Sequence, residues 1–266
     1  MKIEEIRDIL EGYISGYFEN LEGKRDTVFV EGMRYAVLGG GKRLRGILFS
    51  GIWDFLGGEI DKSLPIATSF EFIHSFSLVH DDIVDKTEVR RGKPSLCKKY
   101  GSDIALMIGD ALLSETFSLI AKTEIEDTSK SEITKIISDA ISKMIEGQIM
   151  DIHYKYSGAE EEVLKIQSYK TAALFKVLSI TPCIALSKKE SIELFSKFGE
   201  SFGIAFQIND DFMDTEEDKY MKRPNIANVI GLSNAKALLN EKISILWKIA
   251  EEIKSDFIKD ILRISF

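Results

Sequence analysis

An all-α fold is what the sequence predicts, and three observations carry that expectation. Proline is scarce, with Pro65, Pro94, Pro182 and Pro224 alone in 266 residues, so long helices go largely uninterrupted. Apolar residues recur at three- and four-residue spacing along most of the chain, and no stretch alternates convincingly with the period of a strand. Hydrophobic residues make up 44% of the chain, enough for a sizeable core. No linker divides the sequence, so residues 1–266 are expected to form a single domain.

Residues 2–22 place Ile3, Ile6, Ile9, Leu10, Tyr13, Ile14, Tyr17 and Phe18 at helical period, an amphipathic first helix. A short second helix runs to about Leu38. Gly39-Gly40-Gly41 stops it and lets backbone approach a ligand closely. Lys42 and Arg45 follow at i, i+3, on one face of the next helix's first turn. Such a turn is either an anion site or a capped helix start with solvated basic residues. The acidic motifs further on favour the anion site.

A long, largely apolar helix is predicted over 62–85, and it ends in Ser77-Leu-Val-His-Asp-Asp-Ile-Val-Asp85. Asp81, Asp82 and Asp85 lie at spacings that bring three carboxylates toward one helix face. They would repel one another unless cations sat among them. Mg²⁺ suits such a place, because it prefers oxygen ligands and is shared between one or two carboxylates and a substrate phosphate. Alone, the pattern could be a short acidic run in a chain with 43 acidic residues. A second copy, Asp210, Asp211 and Asp214 in Gln207-Ile-Asn-Asp-Asp-Phe-Met-Asp214, decides for a metal site. Two such faces can oppose each other across a cavity and hold a polyphosphate. His74, two helical turns before Asp81, is either a satisfied core histidine or a ligand contact, and the setting favours contact. Arg90 and Arg91 fall in the loop that follows.

Further helices are expected over 103–122, 131–156 and 159–187, with a polar turn at 124–131. The second carries Gly147, Gln148 and Asp151. The third carries Lys170-Thr171 followed by small residues, which suggests close approach to an anion, and Pro182 is expected to kink it. Residues 189–214 form the helix that ends in the second acidic motif. A charged segment to Lys222 then precedes Arg223-Pro224-Asn225. Gly231-Leu232-Ser233 opens a helix capped by Ser233, and the chain is helical to its end.

A net charge of −8 argues against a nucleic-acid surface. Two isolated cysteines, Cys97 and Cys183, are too few for a disulfide framework or a zinc site, so a reducing compartment is expected. The N-terminal residues are too charged for a signal peptide, and no apolar run approaches the ~20 residues that span a bilayer. A cytoplasmic protein without integral membrane association is the resulting expectation.

Taken in order, several motifs resemble the trans-isoprenyl diphosphate synthases, the polyprenyl synthetase family, nearest to archaeal-type short-chain geranylgeranyl diphosphate synthases. They are Gly40-Gly-Lys-Arg-Leu-Arg45, Glu71-Phe-Ile-His74, the first acidic motif, Arg90-Arg-Gly92, Gly109-Asp-Ala-Leu-Leu113, Gly147-Gln148, Lys170-Thr-Ala-Ala-Leu174 and the run Phe202 to Asp214. The resemblance covers nearly the whole chain. It implies a helical bundle around a deep central cavity, working as a homodimer on small-molecule diphosphates. It implies head-to-tail condensation of isopentenyl diphosphate with an allylic diphosphate (dimethylallyl, geranyl or farnesyl). Asp81, Asp82, Asp85 and Asp210, with Asp211 and Asp214 through water, would hold the allylic diphosphate by way of Mg²⁺, about three ions per site with Mn²⁺ as a substitute. Arg90, Lys170 and Lys222 would add cationic contacts to that diphosphate. Lys42, Arg45, His74 and Arg91 would bind isopentenyl diphosphate, and Thr171 and Gln207 would help to stabilise the allylic cation.

The chain departs from the family pattern in two places. Gly46 stands where the family usually has proline, and the segment after Asp214 is short, leaving only Lys219 and Lys222 before Arg223. A terpene cyclase would keep the first acidic motif but alter the third position of the second, which is Asp214 here. A non-catalytic subunit on the same fold would be expected to lose aspartates, and all six are present. Product length is expected to depend on the residues four and five before Asp81, ~6–7.5 Å along the helix. These are Ser77 and Phe76, and Phe76 is the bulkier, a floor for a growing chain. A geranylgeranyl product is expected, with farnesyl as the alternative. In another reading Phe76 is ordinary core packing and the floor lies around Ala111–Glu115.

Overall fold

The computed structural model describes residues 1–154, 159–214, 218, 220 and 223–266. The all-α expectation holds: among the described residues, the only strands are a two-stranded hairpin, β1 (Val89–Arg90) against β2 (Lys93–Pro94). The chain divides into two compact units, Met1–Glu126 and Asp127–Phe266.

In the first unit, α1 (Ile3–Glu19) buries Ile3, Ile6, Leu10, Ile14 and Phe18, the apolar stripe that the spacing predicts. Asp26 caps α2 (Thr27–Leu38) by accepting from the N–H groups of Val28 and Phe29, 2.9 and 3.1 Å away. α3 (Leu44–Phe55) is buried on nearly every side. α4 (Ile60–Val84) packs against it and against α6 (Ser102–Lys122). Aromatic rings lock this core, with Phe18 stacked on Phe72 at 5.8 Å between centroids and Phe49 tilted on Phe70 at 5.4 Å. A short helix, α5 (Leu96–Tyr100), links the hairpin to α6.

The second unit contains α7 (Asp127–His153), α8 (Glu160–Gln167), α9 (Ala173–Ala185) and α10 (Ile192–Met213), followed by helices Ile226–Ile230, Leu232–Glu252 and Asp256–Ser265. Between α8 and α9 the backbone widens into a π turn over Ser168–Ala172. Glycines explain how neighbouring helices close around it. A Cβ at Gly147 of α7 would lie 2.7 Å from the Lys170 nitrogen, and one at Gly203 of α10 would lie 2.5 Å from Ala172 Cα. The π turn therefore touches backbone on two sides, and any larger residue at those positions would push it away. Phe175, Phe198 and Phe202 fill the core beside it.

Several sequence expectations need correction. Lys42 does not sit on the first turn of α3: Arg43 takes a left-handed backbone (φ 54°) ahead of Leu44, so Lys42 is left in the exposed loop. α7 begins at Asp127, which shortens the predicted polar turn. Pro182 lies inside a continuous α9, and the departure from α geometry comes earlier, at Ser168–Ala172. Ser233 lies within the first turn of Leu232–Glu252, behind Gly231, and does not cap it. One helix, Ser102–Lys122, is after all long and apolar enough to cross a membrane by length and composition, and 39% of its apolar stretch is buried in the fold.

Candidate active site

Helical spacing puts His74, Ser77, Asp81 and Asp85 on one stripe of α4. The burial follows that stripe: His74, Ser77 and Asp81 are half-buried and Asp85 is exposed, while Phe76, Val79 and Asp82 turn inward. Asp82 is 3% exposed and engaged by Arg90, whose Nε and Nη2 lie 2.7 and 2.6 Å from its Oδ1. Asp82 and Asp81 are adjacent in sequence, a rotation of about 100° on a helix, and that rotation turns Asp82 inward and leaves Asp81 half-buried. The hairpin makes the Arg90 contact possible by reversing the chain through Arg91 and Gly92, both at positive φ.

The guanidinium of Arg91 lies over the glycine loop. Its Nη1 donates to the Gly40 carbonyl, and a Cβ at Gly41 would come within 2.8 Å of the guanidinium carbon. Glycine is favoured there by φ +115°, a conformation that other residues rarely adopt. A cleft beside the hairpin is lined by Tyr35, Leu78, Asp82, Arg90, Arg91 and Leu96, a mixture of charged and apolar groups.

Burial and the nearby guanidinium groups of Arg45, Arg91, Arg90 and Arg43 hold the His74 imidazole well below the ordinary histidine range. The structure thus brings Arg45, His74, Arg90 and Arg91 together and adds Arg43, which sequence reasoning passed over. His74 is neutral at physiological pH, a hydrogen-bonding group set among four cations. Its pH linkage has a definite sign. The unfolded chain takes up a proton near the ordinary value of 6.5 while the folded chain resists it. The stability contributed by neutral His74 is therefore present above that value and lost as pH falls below it. Melting curves of the wild type should fall on acidification by up to about 1.4 kcal/mol per pH unit from this group. His74→Gln should flatten that slope, and an unchanged slope would refute the assignment.

In the second unit, the π turn presents Lys170 and Thr171. Lys170 Nζ pairs with Asp151 Oδ2 of α7 at 2.5 Å. Thr171 Oγ1 donates to Gln207 Oε1 (2.7 Å), and Gln207 Nε2 donates to Asp211 Oδ1 (3.1 Å). At the end of α10, Asp210 is half-buried and Asp214 exposed, one turn apart. Asp211 is placed differently. It is 2% exposed, and its Oδ2 accepts from Gln167 Nε2 (2.6 Å) and from the Ile226 N–H (2.7 Å). Burial pushes its carboxyl up to about 7 against the opposing pull of these donors. Asn225 Nδ2 also donates to the Asp211 carbonyl at 2.8 Å. Lys222, expected on the allylic diphosphate, and Lys219 lie outside the described residues.

Three converging carboxylates are not what the structure presents. Among the described residues no group of three His, Cys, Asp or Glu side chains could hold a metal ion. The physical reason in the first motif is the Asp82–Arg90 pair. Two pairs one helical turn apart remain, Asp81 with Asp85 and Asp210 with Asp214. Such donor sets fit Mg²⁺, which takes one or two carboxylates and completes its shell with water and phosphate oxygens. Sequence reasoning also missed Glu71, Asp151 and Gln167 as partners of site residues. Glu71 and Gln167 sit in helical stretches that read as core, and only the fold reveals what they face.

Comparison with known proteins places these features in a family. Residues 26–233 match the family model described as polyprenyl synthetase. The chain is 33% identical to the geranylgeranyl diphosphate synthase of Sulfolobus acidocaldarius, over 85% of this chain and 68% of that one. It is 30% identical to the farnesyl diphosphate synthase of Micrococcus luteus, over 80% of this chain and 79% of that one. Among solved structures, geranyltranstransferase from Thermotoga maritima superposes with a TM-score of 0.78 at 31% identity, covering 98% of this chain and 92% of that one. An isoprenoid synthase family member from Thermotoga neapolitana gives 0.81 at 30%, covering 99% and 97%.

Proposed function

We propose, for a chain that belongs to the polyprenyl synthetase family, that its trans-prenyltransferase activity joins isopentenyl diphosphate head-to-tail to an allylic diphosphate, with geranylgeranyl diphosphate as the main product. The observation that carries this reading is the gathering of Arg45, Arg90 and Arg91 around a neutral His74, two turns along α4 from Asp81 and three from Asp85. Arg45, Arg91 and His74, with Lys42 from the exposed loop, would bind isopentenyl diphosphate. Arg90 and Lys170 are held ready by Asp82 and Asp151, and would exchange those partners for oxygens of the allylic diphosphate.

The family is generally metal-dependent. Asp81, Asp85, Asp210 and Asp214 would hold the metal directly or through water, and Asp82 and Asp211 would support them from buried positions. When bound, Mg²⁺ (about three ions, with Mn²⁺ as a substitute) neutralises the charge that develops on the departing diphosphate. Thr171 Oγ1 donates a hydrogen bond to Gln207 Oε1, so the hydroxyl lone pairs would be left to stabilise the electron-poor allylic carbon. The double bond of isopentenyl diphosphate attacks that carbon, and the released diphosphate takes the proton lost from the product. No protein nucleophile is needed. Both units would form one synthase domain in a homodimer, with Ile104 and Met107 among the exposed apolar residues of α6 as candidate dimer contacts. The enzyme would work in the cytoplasm, in keeping with two free cysteines.

Product analysis tests the whole reading. Both diphosphates supplied with Mg²⁺ should yield geranylgeranyl diphosphate, resolved by chromatography after dephosphorylation. A farnesyl product would move the chain to the shorter class, and no product would defeat the reading. Ser77 shares the stripe of His74 and Asp81, so Ser77→Phe should shorten the product. Phe76 is 4% exposed and packs edge-on to His80, 4.6 Å between ring centroids. A Cβ at Gly109 would in turn strike that imidazole at 2.3 Å. Phe76 therefore acts from behind the stripe, and Phe76→Ala should lengthen the product by at least one isoprene unit. An unchanged chain length in both variants would remove the pair from that role.

A further inference from the structure

Glu71 is 3% exposed in the middle of α4, one turn before His74. A carboxylate so buried is costly unless it is paired and hydrogen-bonded. Its Oε1 accepts from the Gly46 N–H at 2.8 Å, and its Oε2 lies 3.9 Å from Arg43 Nη1. The first contact exists because residue 46 is not proline, which has no N–H to give. Arg43 is itself 4% exposed, so it is closed off from a ligand arriving from solvent. Its Nε lies 3.3 Å from Glu11 Oε1, and its Nη1 donates to the Gly40 carbonyl at 3.0 Å. That carbonyl also accepts from Arg91. A continuous polar chain therefore runs from Glu71 through Arg43 to Gly40 and on to Arg91, while Glu71 fixes the start of α3, one residue from Arg45.

We propose that Glu71 and Arg43 are positioning residues for the isopentenyl diphosphate site. They set the register of the 39–45 loop against α4, and with it the spacing of Arg45 and Arg91 around His74. The left-handed backbone at Arg43 (φ 54°) is the strained point that this pair holds in place. This inference rests on the reading of Arg45, His74 and Arg91 as the isopentenyl diphosphate site.

The test compares Glu71→Gln, Arg43→Lys and Arg45→Ala in the full-length enzyme. Glu71→Gln keeps an acceptor for the Gly46 N–H but loses the ion pair, and Arg43→Lys keeps the charge but loses the fork that spans three partners. Both should raise KM for isopentenyl diphosphate on the order of tenfold. KM for the allylic substrate should stay within about twofold and kcat within about threefold. Glu71→Asp should recover part of the loss. A merely structural role would lower the active fraction, so that kcat falls with both KM values unchanged, and that result in either variant overturns the proposal. Should Glu71→Gln fail to fold, Arg43→Lys alone decides. The underlying reading fails separately: Arg45→Ala would then leave KM for isopentenyl diphosphate unmoved.

Discussion

Asp81→Ala is expected to cost at least about a hundredfold in turnover, roughly 3 kcal/mol of transition-state stabilisation, while leaving the fold intact. The expectation follows from where the side chain sits. Asp81 is half-buried near the end of α4, one turn from the exposed Asp85, on the stripe that also carries His74 and Ser77. Removing it takes away a hard oxygen donor from a pair with only two to offer. The variant should therefore need more Mg²⁺ for half-maximal activity as well as turning over more slowly. Asp82→Ala should behave differently, because it strips Arg90 of its buried partner and lowers the melting temperature too. Turnover measured across a magnesium titration, with melting curves alongside, separates the two. Wild-type turnover in Asp81→Ala, or activity that survives a chelator, would defeat the metal-assisted mechanism.

The contrast between Asp81 and Asp82 shows how far sequence reading reaches. Periodicity places both on α4, and the motif spacing identifies the helix end as the reactive one. It cannot say that residue 82 turns toward a hairpin eight residues later, because that depends on two consecutive positive-φ residues, Arg91 and Gly92. The glycine loop is legible for the same reason that it is incomplete. Three glycines announce a close approach, yet the group they admit is the guanidinium of Arg91, from another part of the chain. Lys42 and Arg45 look equivalent at i, i+3 only if the helix begins before Lys42. Arg43 breaks the phase, and the buried partner Glu71 explains why it does. The π turn at Ser168–Ala172 is likewise invisible in the helical pattern of 159–187. It is shaped by glycines on α7 and α10, 20 or more residues away in sequence.

Asp211→Ala is expected to cost the fold about 3–5 kcal/mol, where Asp210→Ala, its neighbour in the same motif, should cost activity far more than stability. Asp211 collects donors from three places: Gln167 at the end of α8, Gln207 one turn back on its own helix, and the main chain of Ile226. Alanine would leave these buried donors facing a void, each at about 1–3 kcal/mol, partly relieved by relaxation or entry of water. Against a typical domain stability of about 5–15 kcal/mol that is a large fraction. It should appear as a fall in melting temperature on the order of 10 °C, with or without magnesium. Activity should fall as well, by a separate route. Asp211 Oδ1 accepts from the Gln207 amide nitrogen, which leaves the amide oxygen for the Thr171 hydroxyl. Without that constraint the Gln207 amide can invert and Thr171 loses its acceptor. Asp211→Asn, which preserves volume and one acceptor, should recover most of the stability but less of the turnover. Asp210→Ala should show the reverse, a much smaller loss of melting temperature with turnover reduced about a hundredfold. Equal melting temperatures for Asp210→Ala and Asp211→Ala would show that the second motif is not divided between a reactive carboxylate and a buried anchor.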